Sequence, residues 1–341
     1  MSSITFKPKQ VTKRLIGVLG ERAYDVISSR FGLDDSNRQT LESIGQKYGI
    51  TRERVRQIEN FALQSIKKSE AYRKEQEALL ELHRTIDELG AVLPEDDLLT
   101  ALSQDESTRN HLYFFLVLGD PFVREKENDD LKHRWHIDES LAEKIYDALR
   151  KIYSGLSGDE LISENDMIDT FLSHLKDVSD KYKNEEIARR WLALSKKIGR
   201  NQFGEWGRAD SSNIRTRGMR DYAYLVIRRH GSPMHFREVA ADISRSFDRQ
   251  AHVATTHNEL IKDKRFILVG RGLYALSEWG YTKGVVRDVI REILKKQGPL
   301  SREEIAEKVL KERYVKENTI LVNLQNGKHF KRTREGLYTI A

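Results

Sequence analysis

Between Thr40 and Ile66 apolar residues return every three or four positions, and the rhythm breaks once, at Gly49-Ile50-Thr51. That spacing specifies two helices, each with one buried face. Ile44 and Tyr48 lie on one side of the first; Val55, Ile58, Ala62 and Ile66 line one side of the second. Thr40 and Thr51 stand where N-caps belong, and Glu53 falls in the first turn of the second helix. Gly49 can take the positive φ that a tight turn between helices needs. Two helices joined this closely make a helix-turn-helix. The face opposite Val55 carries Arg52, Glu53, Arg56, Gln57 and Asn60, with Thr51 and Arg54 beside them. Arginine donates two parallel hydrogen bonds to guanine, glutamine pairs with adenine, and glutamate accepts from cytosine. The second helix of such a motif enters the major groove near its N-terminus, where these residues sit. The competing reading is a solvated face laced by ion pairs within the helix.

Charge is distributed unevenly along the 341 residues. Lys+Arg against Asp+Glu number 13 and 8 in residues 1–70, 19 and 28 in 71–200, and 27 and 17 in 201–341. Two basic ends therefore flank an acidic middle. Cationic segments attract phosphate and acidic ones are repelled by it, so the ends are the candidate DNA binders. Charged residues make up 33% and hydrophobic residues 38% of the chain, with no cysteine. Disulfides, thiolate metal sites and a cysteine nucleophile are excluded. The apolar run Leu112–Leu118 is too short to cross a bilayer, and the N-terminus carries no signal-peptide core, so the expected compartment is the cytoplasm.

The segments Arg30-Phe-Gly-Leu33, Thr40-Leu-Glu-Ser-Ile-Gly45 and Thr51–Glu59 closely resemble region 4 of housekeeping sigma factors, the bacterial promoter-recognition subunits. The resemblance covers residues 11–68. It implies that Arg52, Glu53, Arg56 and Gln57 read bases of a promoter element. It also implies that Thr40 and Leu41 bring backbone to phosphate and that Arg54 makes a phosphate or nearby contact. The helices before them would grip the flap of the polymerase β subunit. The chain departs from the family at Phe61, where lysine is usual, and near Gln64 and Ser65, where basic residues are usual; fewer phosphate contacts follow. Only ten residues precede Val11, so the chain is not expected to melt promoters as an ordinary sigma factor does.

The C-terminal third repeats itself. Gly231–Ala240 corresponds to Gly298–Ala306, Thr256–Phe266 to Leu321–Phe330, and Arg271–Leu276 to Glu335–Ile340. Each copy reads helix, turn, helix, helix, β-hairpin, which describes a winged helix. The first copy resembles the HARE-type winged helix of the polymerase delta subunit, through Met234–Val239, Arg265-Phe266 and Gly272–Trp279. Two degenerate copies are expected in the middle, with Leu93–Leu99 opening a second helix and with Trp135, Trp206, Tyr274 and Tyr338 recurring near the hairpin ends. Tyr113-Phe114-Phe115 is assigned to the core of the first of these.

The expected fold is thus mainly α with small β-hairpins: a helix-turn-helix domain at 1–70, then winged-helix units at 71–138, 139–212, 213–281 and 282–341. Secondary DNA contacts are expected from Thr255, Thr256, Asn258, Lys262 and Arg271, and from Asn323, Lys328, Lys331 and Arg332, with Lys264 and Arg265 on the first wing. The ten histidines offer no metal set; His133 and His136 straddle an expected strand at Trp135. No nucleophile elbow and no phosphate-binding glycine loop occurs, so no catalysis, cofactor or small-molecule substrate is expected. The partners implied are double-stranded DNA and RNA polymerase core. The alternatives are a delta-like accessory subunit acting through protein contacts, or the targeting part of a restriction or modification system.

Overall fold

The structure is a computed structural model that describes residues 4–34 and 37–341. The chain divides into two compact units, Met1–Asp210 and Ser211–Ala341. The first opens with α1 (Pro8–Ile16), α2 (Glu21–Phe31), α3 (Leu41–Tyr48) and α4 (Arg52–Lys68). It continues through α5 (Glu70–Lys74), α6 (Gln76–Glu88), β1 (Val92–Pro94), α7 (Glu95–Leu102), α8 (Glu106–Leu118), β2 (Val123–Glu125) and β3 (Arg134–His136). It closes with α9 (Glu139–Gly155), α10 (Glu164–Ser173), α11 (Glu185–Leu192), β4 (Ile198–Arg200) and β5 (Trp206–Arg208). The second unit holds α12 (Met219–His230), β6 (Met234–His235), α13 (Phe236–Ser246), α14 (Val253–Lys262), β7 (Phe266–Gly270) and β8 (Leu273–Leu276). Then come α15 (Val286–Gln297), α16 (Arg302–Glu312), α17 (Glu317–Leu324), β9 (Phe330–Arg332) and β10 (Tyr338–Ile340). The fold is mainly helical, with small antiparallel sheets.

From α6 onward one order of elements occurs four times: helix, short extended stretch, helix, helix, hairpin. The extended stretch always pairs with the last strand of its own set. Leu93 faces Trp135 and Met234 faces Tyr274, in sheets of order β1-β3-β2 and β6-β8-β7. In the other two sets the stretch shrinks to a single bridge, Ile162 to Trp206 and Leu300 to Tyr338. The four recurring aromatics thus occupy one structural position. Each lies on the final strand, beside the residue that leads into the second helix. There it closes the sheet over the helices with a large side chain at little cost in conformational entropy.

The third helices of the first two sets pack onto the elements before them. Phe114 and Phe115 of α8 are fully buried; their ring centroids lie 5.2 Å from Phe31 of α2 and 5.4 Å from Phe6, just before α1, respectively. One continuous core gathers Val11, Leu15, Phe31, Ala62 and Ile66 with Leu82, Leu112, Phe115 and Trp135. Tyr113-Phe114-Phe115 thus joins the core of its own unit, as expected, and that core continues into the opening helices without a break at residue 70. Helix α11 repeats the arrangement one set further on: Trp191 Nε1 donates to Gly90 O at 3.0 Å and Arg190 Nη1 to Leu89 O at 3.1 Å. In the second unit the two sets meet through the loop after α16. Tyr314 N donates to Val269 O at 2.8 Å, and buried Arg313 donates to Gly284 O at 3.0 Å and to Thr282 O.

The cap of α8 carries a titratable group that also reaches α1. Asp105 accepts from Thr108 N at 2.8 Å and from Thr108 Oγ1 at 2.6 Å, and lies 3.2 Å from Lys9 of α1. These bonds, those from Thr108 first, lower its pKa to about 2. A depressed carboxyl contributes stability above its unfolded pKa, roughly 3.9, and loses it as pH falls through the folded value. Asp105→Asn keeps a capping oxygen and removes the titration. An acid unfolding series is expected to show a shallower fall between about pH 4 and pH 2 for this variant than for the native chain.

Candidate nucleic-acid interface

Helix α4 is held at both ends by different cores. Its N-terminal half places Val55 in a small cluster with Val26 and Ile44, ringed by Leu41, Tyr48, Ile50 and Ile58. Its C-terminal half sends Ala62 and Ile66 into the large shared core. The caps lie where the sequence puts them: Thr40 Oγ1 accepts from Ser43 N at 3.1 Å and Thr51 Oγ1 from Arg54 N at 3.2 Å. Gly49 ends α3 with φ +63°, the left-handed turn its place requires. Gly45 matters for another reason: a Cβ there would lie 2.6 Å from Ile50 O. Ile50 O belongs to the backbone, so the turn would have to open. Gly45→Ala is expected to cost about 1–3 kcal/mol, read as a lower denaturant midpoint with unchanged slope.

The face turned away from these cores is open. Arg52, Glu53, Arg54, Arg56, Gln57 and Asn60 are all exposed. The row is linked by side-chain hydrogen bonds within the helix. Arg56 grips Glu53 with two hydrogen bonds, Nε to Oε2 at 2.8 Å and Nη2 to Oε1 at 2.7 Å, and Arg54 Nη1 donates to Gln57 Oε1 at 2.9 Å. The Arg56 guanidinium holds the Glu53 carboxyl below the usual carboxylate range, so Glu53 stays an acceptor. Thr40 is exposed at the start of α3, and the Leu41 side chain packs inward, leaving its backbone at the helix end. The first N–H groups of a helix lack partners within it and suit a phosphate.

Two arginines outside the motif set the approach to α3. Arg30 Nη1 donates to Gln39 O at 3.1 Å, and its Nε lies 3.3 Å from Glu59 of α4. Arg38 Nε donates to Asn110 Oδ1 at 2.6 Å, and its guanidinium covers the Tyr113 ring at 4.0 Å. Burial lowers the Arg38 pKa. Reading the sequence missed both roles, since Asn110 and Glu59 lie far along the chain and leave no local spacing signal. Phe61 stands 69% exposed on the open face.

In the second unit the expected contacts divide. Thr255, Asn258 and Lys262 are exposed on α14 and Arg271 at its hairpin; Lys328, Lys331 and Arg332 are exposed along the last hairpin. Thr256 is a correction: it is 0% exposed and its Oγ1 donates to His252 O at 3.1 Å, because position 256 falls on the face of α14 that packs inward. Asn323 is half-buried and donates to Thr319 O at 2.7 Å. Arg265 turns inward as well, paired with Asp221 at 2.9 Å and Asp263 at 2.7 Å.

The first unit also has a cavity of about 360 Å³ lined by Arg134, Tyr146, Arg150, Tyr153 and Lys197. Its cations are already matched, Arg134 by Glu125, Arg150 by Asp147 at 3.2 Å and Lys197 by Asp130 at 2.8 Å. Among the described residues no group of three His, Asp or Glu side chains could hold a metal ion, and no helix is long and apolar enough to cross a membrane. His133 accepts from Glu127 N at 3.1 Å and His136 lies 3.1 Å from Glu125, so the pair is not convergent.

The exposed cation-and-amide row thus lies on the second helix of a capped helix-turn-helix. Residues 15–68 match the family model for sigma-70, region 4. Over 67 residues the chain is 42% identical to the RNA polymerase principal sigma factor HrdD of Streptomyces viridifaciens and equally to that of Streptomyces coelicolor, covering 20% of this chain and 20% of each relative. It is 44% identical over 59 residues to RNA polymerase sigma factor SigA of a Bacillus species, covering 17% of this chain and 16% of the relative. The matched segment thus spans about a fifth of the length of these relatives.

Proposed function

We propose that the chain binds double-stranded DNA sequence-specifically through α4 and acts with RNA polymerase core in bacterial transcription initiation or its regulation, in the cytoplasm. The observation that carries this reading is the open row from Arg52 to Asn60, held rigid by two cores, inside a segment matching region 4 of sigma-70. Arg52, Glu53, Arg56 and Gln57 are the base readers; Thr40, Leu41, Thr51 and Arg54 meet phosphate; Asn60 extends the row. The four repeated sets are taken as winged-helix units over 71–138, 139–212, 213–281 and 282–341. The third helices of the last two sets, α14 and α17, have open sides carrying amides and hydroxyls, whereas the open side of α11 carries Glu185 and Glu186; α14 and α17 also lie in the basic end of the chain. Their exposed Lys262, Arg271, Lys328, Lys331 and Arg332 add phosphate contacts and raise affinity through effective concentration.

The apolar side of α1 and α2 is filled by α8 of the same chain. A polymerase contact through these helices, such as one to the β-subunit flap, therefore uses their outer side, where Lys13, Val18 and Arg22 are exposed, or else displaces α8. Selection of duplexes from a random-sequence pool by the full chain, with recovery of polymerase core on the immobilised chain, tests the proposal. Enrichment of one sequence together with polymerase recovery is the expected result. Polymerase recovery with no enrichment would leave an accessory subunit acting through protein contacts.

A further inference from the structure

Phe61 is the most exposed large hydrophobic side chain among the described residues, at 69%, and the only phenylalanine among those that are exposed. Helix α4 does not lack a place to bury such a ring. Its inner face takes Val55, Ala62 and Ile66 without any exposure. Phe61 instead shares the outer face with Gln57, one turn earlier, and its neighbours Asn60 and Gln64 are exposed and polar. Four residues advance the helix about 6 Å, less than two base-pair steps along a duplex. Aromatic side chains on a helix lean toward its N-terminus, so the ring covers the turn that holds Gln57. The one apolar feature that bases present in the major groove is the C5 methyl of thymine.

Resting on the proposed DNA-reading role of α4, we infer that Phe61 is a specificity-determining residue that reads a thymine methyl beside the base contacted by Gln57. Hydrogen-bonding neighbours fix the polar edges of the site, and the ring selects thymine at the adjoining position by removing its methyl from water. Cytosine there offers no methyl and is discriminated against. The substitution that removes a cation from this helix thereby exchanges a phosphate contact, which is blind to sequence, for an apolar contact that is not.

The test uses the full chain and the duplex it selects from a random pool. Each thymine of that duplex is replaced in turn by deoxyuridine, which removes only the methyl. For the native chain, one position is expected to weaken binding about fourfold, the partition of one buried methyl. In Phe61→Ala the same replacement is expected to have no effect, while discrimination at the remaining positions persists. Phe61→Lys is expected to bind with a steeper salt dependence and with equal affinity for thymine and deoxyuridine. Deoxyuridine replacements that are neutral in the native chain, or a loss that persists unchanged in Phe61→Ala, overturn the inference. Loss of affinity in Phe61→Ala with no change in the thymine preference also overturns it and marks the ring as a protein contact or packing element. The parent reading fails separately: if no duplex is selected, or if Arg56→Ala leaves selection intact, α4 is not the reader at all.

Discussion

Arg56→Ala is expected to lower the affinity of the full chain for its selected duplex by roughly tenfold to a hundredfold, the range for losing one bidentate base contact. The effect should exceed that of a simple truncation because Arg56 does two things. It offers a forked donor to a base, and it neutralises Glu53 through two hydrogen bonds. Its removal leaves a carboxylate facing the phosphates without a counter-cation. Adding Glu53→Gln should therefore recover part of the affinity without recovering selectivity. Arg54→Ala provides the contrast, weakening all duplexes about equally and reducing the salt slope by about one. Both side chains are exposed, so the unfolding free energy should stay within about 0.5 kcal/mol of native in each case. Competition gel shifts against scrambled duplexes, run at two salt concentrations, give all of these quantities. Unchanged selectivity in Arg56→Ala would remove α4 from the account.

Phe114→Ala and Phe115→Ala should be the most destabilising single changes in the first unit, about 3–5 kcal/mol each. Each ring is fully buried and belongs to the core shared by α1, α2 and α4 with α6 and α8. A cavity there loosens the base of the reading helix as well as the segment that supplies the ring. Unfolding followed by a probe in the helix-turn-helix and by Trp135 fluorescence should therefore coincide. A fragment ending near residue 70 exposes the faces of Phe31, Ala62 and Ile66 that α8 covers, and it should lack a cooperative transition. A fragment of residues 1–70 that melts cooperatively and binds the selected duplex with native affinity would show that the shared core is dispensable.

The helix-turn-helix could be read from the chain because its determinants are local. Caps act over three residues, a left-handed turn needs its own glycine, and a buried stripe shows as a period within one helix. Thr40, Gly49, Thr51 and the Val55–Ile66 stripe are all of this kind. The row from Arg52 to Asn60 followed by subtraction, as whatever the stripe did not use. Thr256 failed for the same reason the others succeeded. The apolar residues of α14 divide between faces, Leu260 buried and Val253 and Ile261 exposed, so its hydroxyl could not be assigned to a face from spacing alone. Arg30 pairs with Glu59, 29 residues away, Arg38 with Asn110, 72 residues away, and Phe114 reaches Phe31 from another helix, and no periodicity encodes those.

The amino-acid order alone therefore settled the two capped helices, the chemistry of the row between Arg52 and Asn60, and the recurrence of an aromatic near each hairpin end. Those features depend on interactions within one or two turns. Tertiary packing decided which third helices stay open, that α8 rather than solvent or a partner covers α1 and α2, and that Phe61 is left outside. Each of these depends on which apolar faces find each other first across long stretches of chain. That competition is settled by buried area and shape, and neither is a property of any local segment.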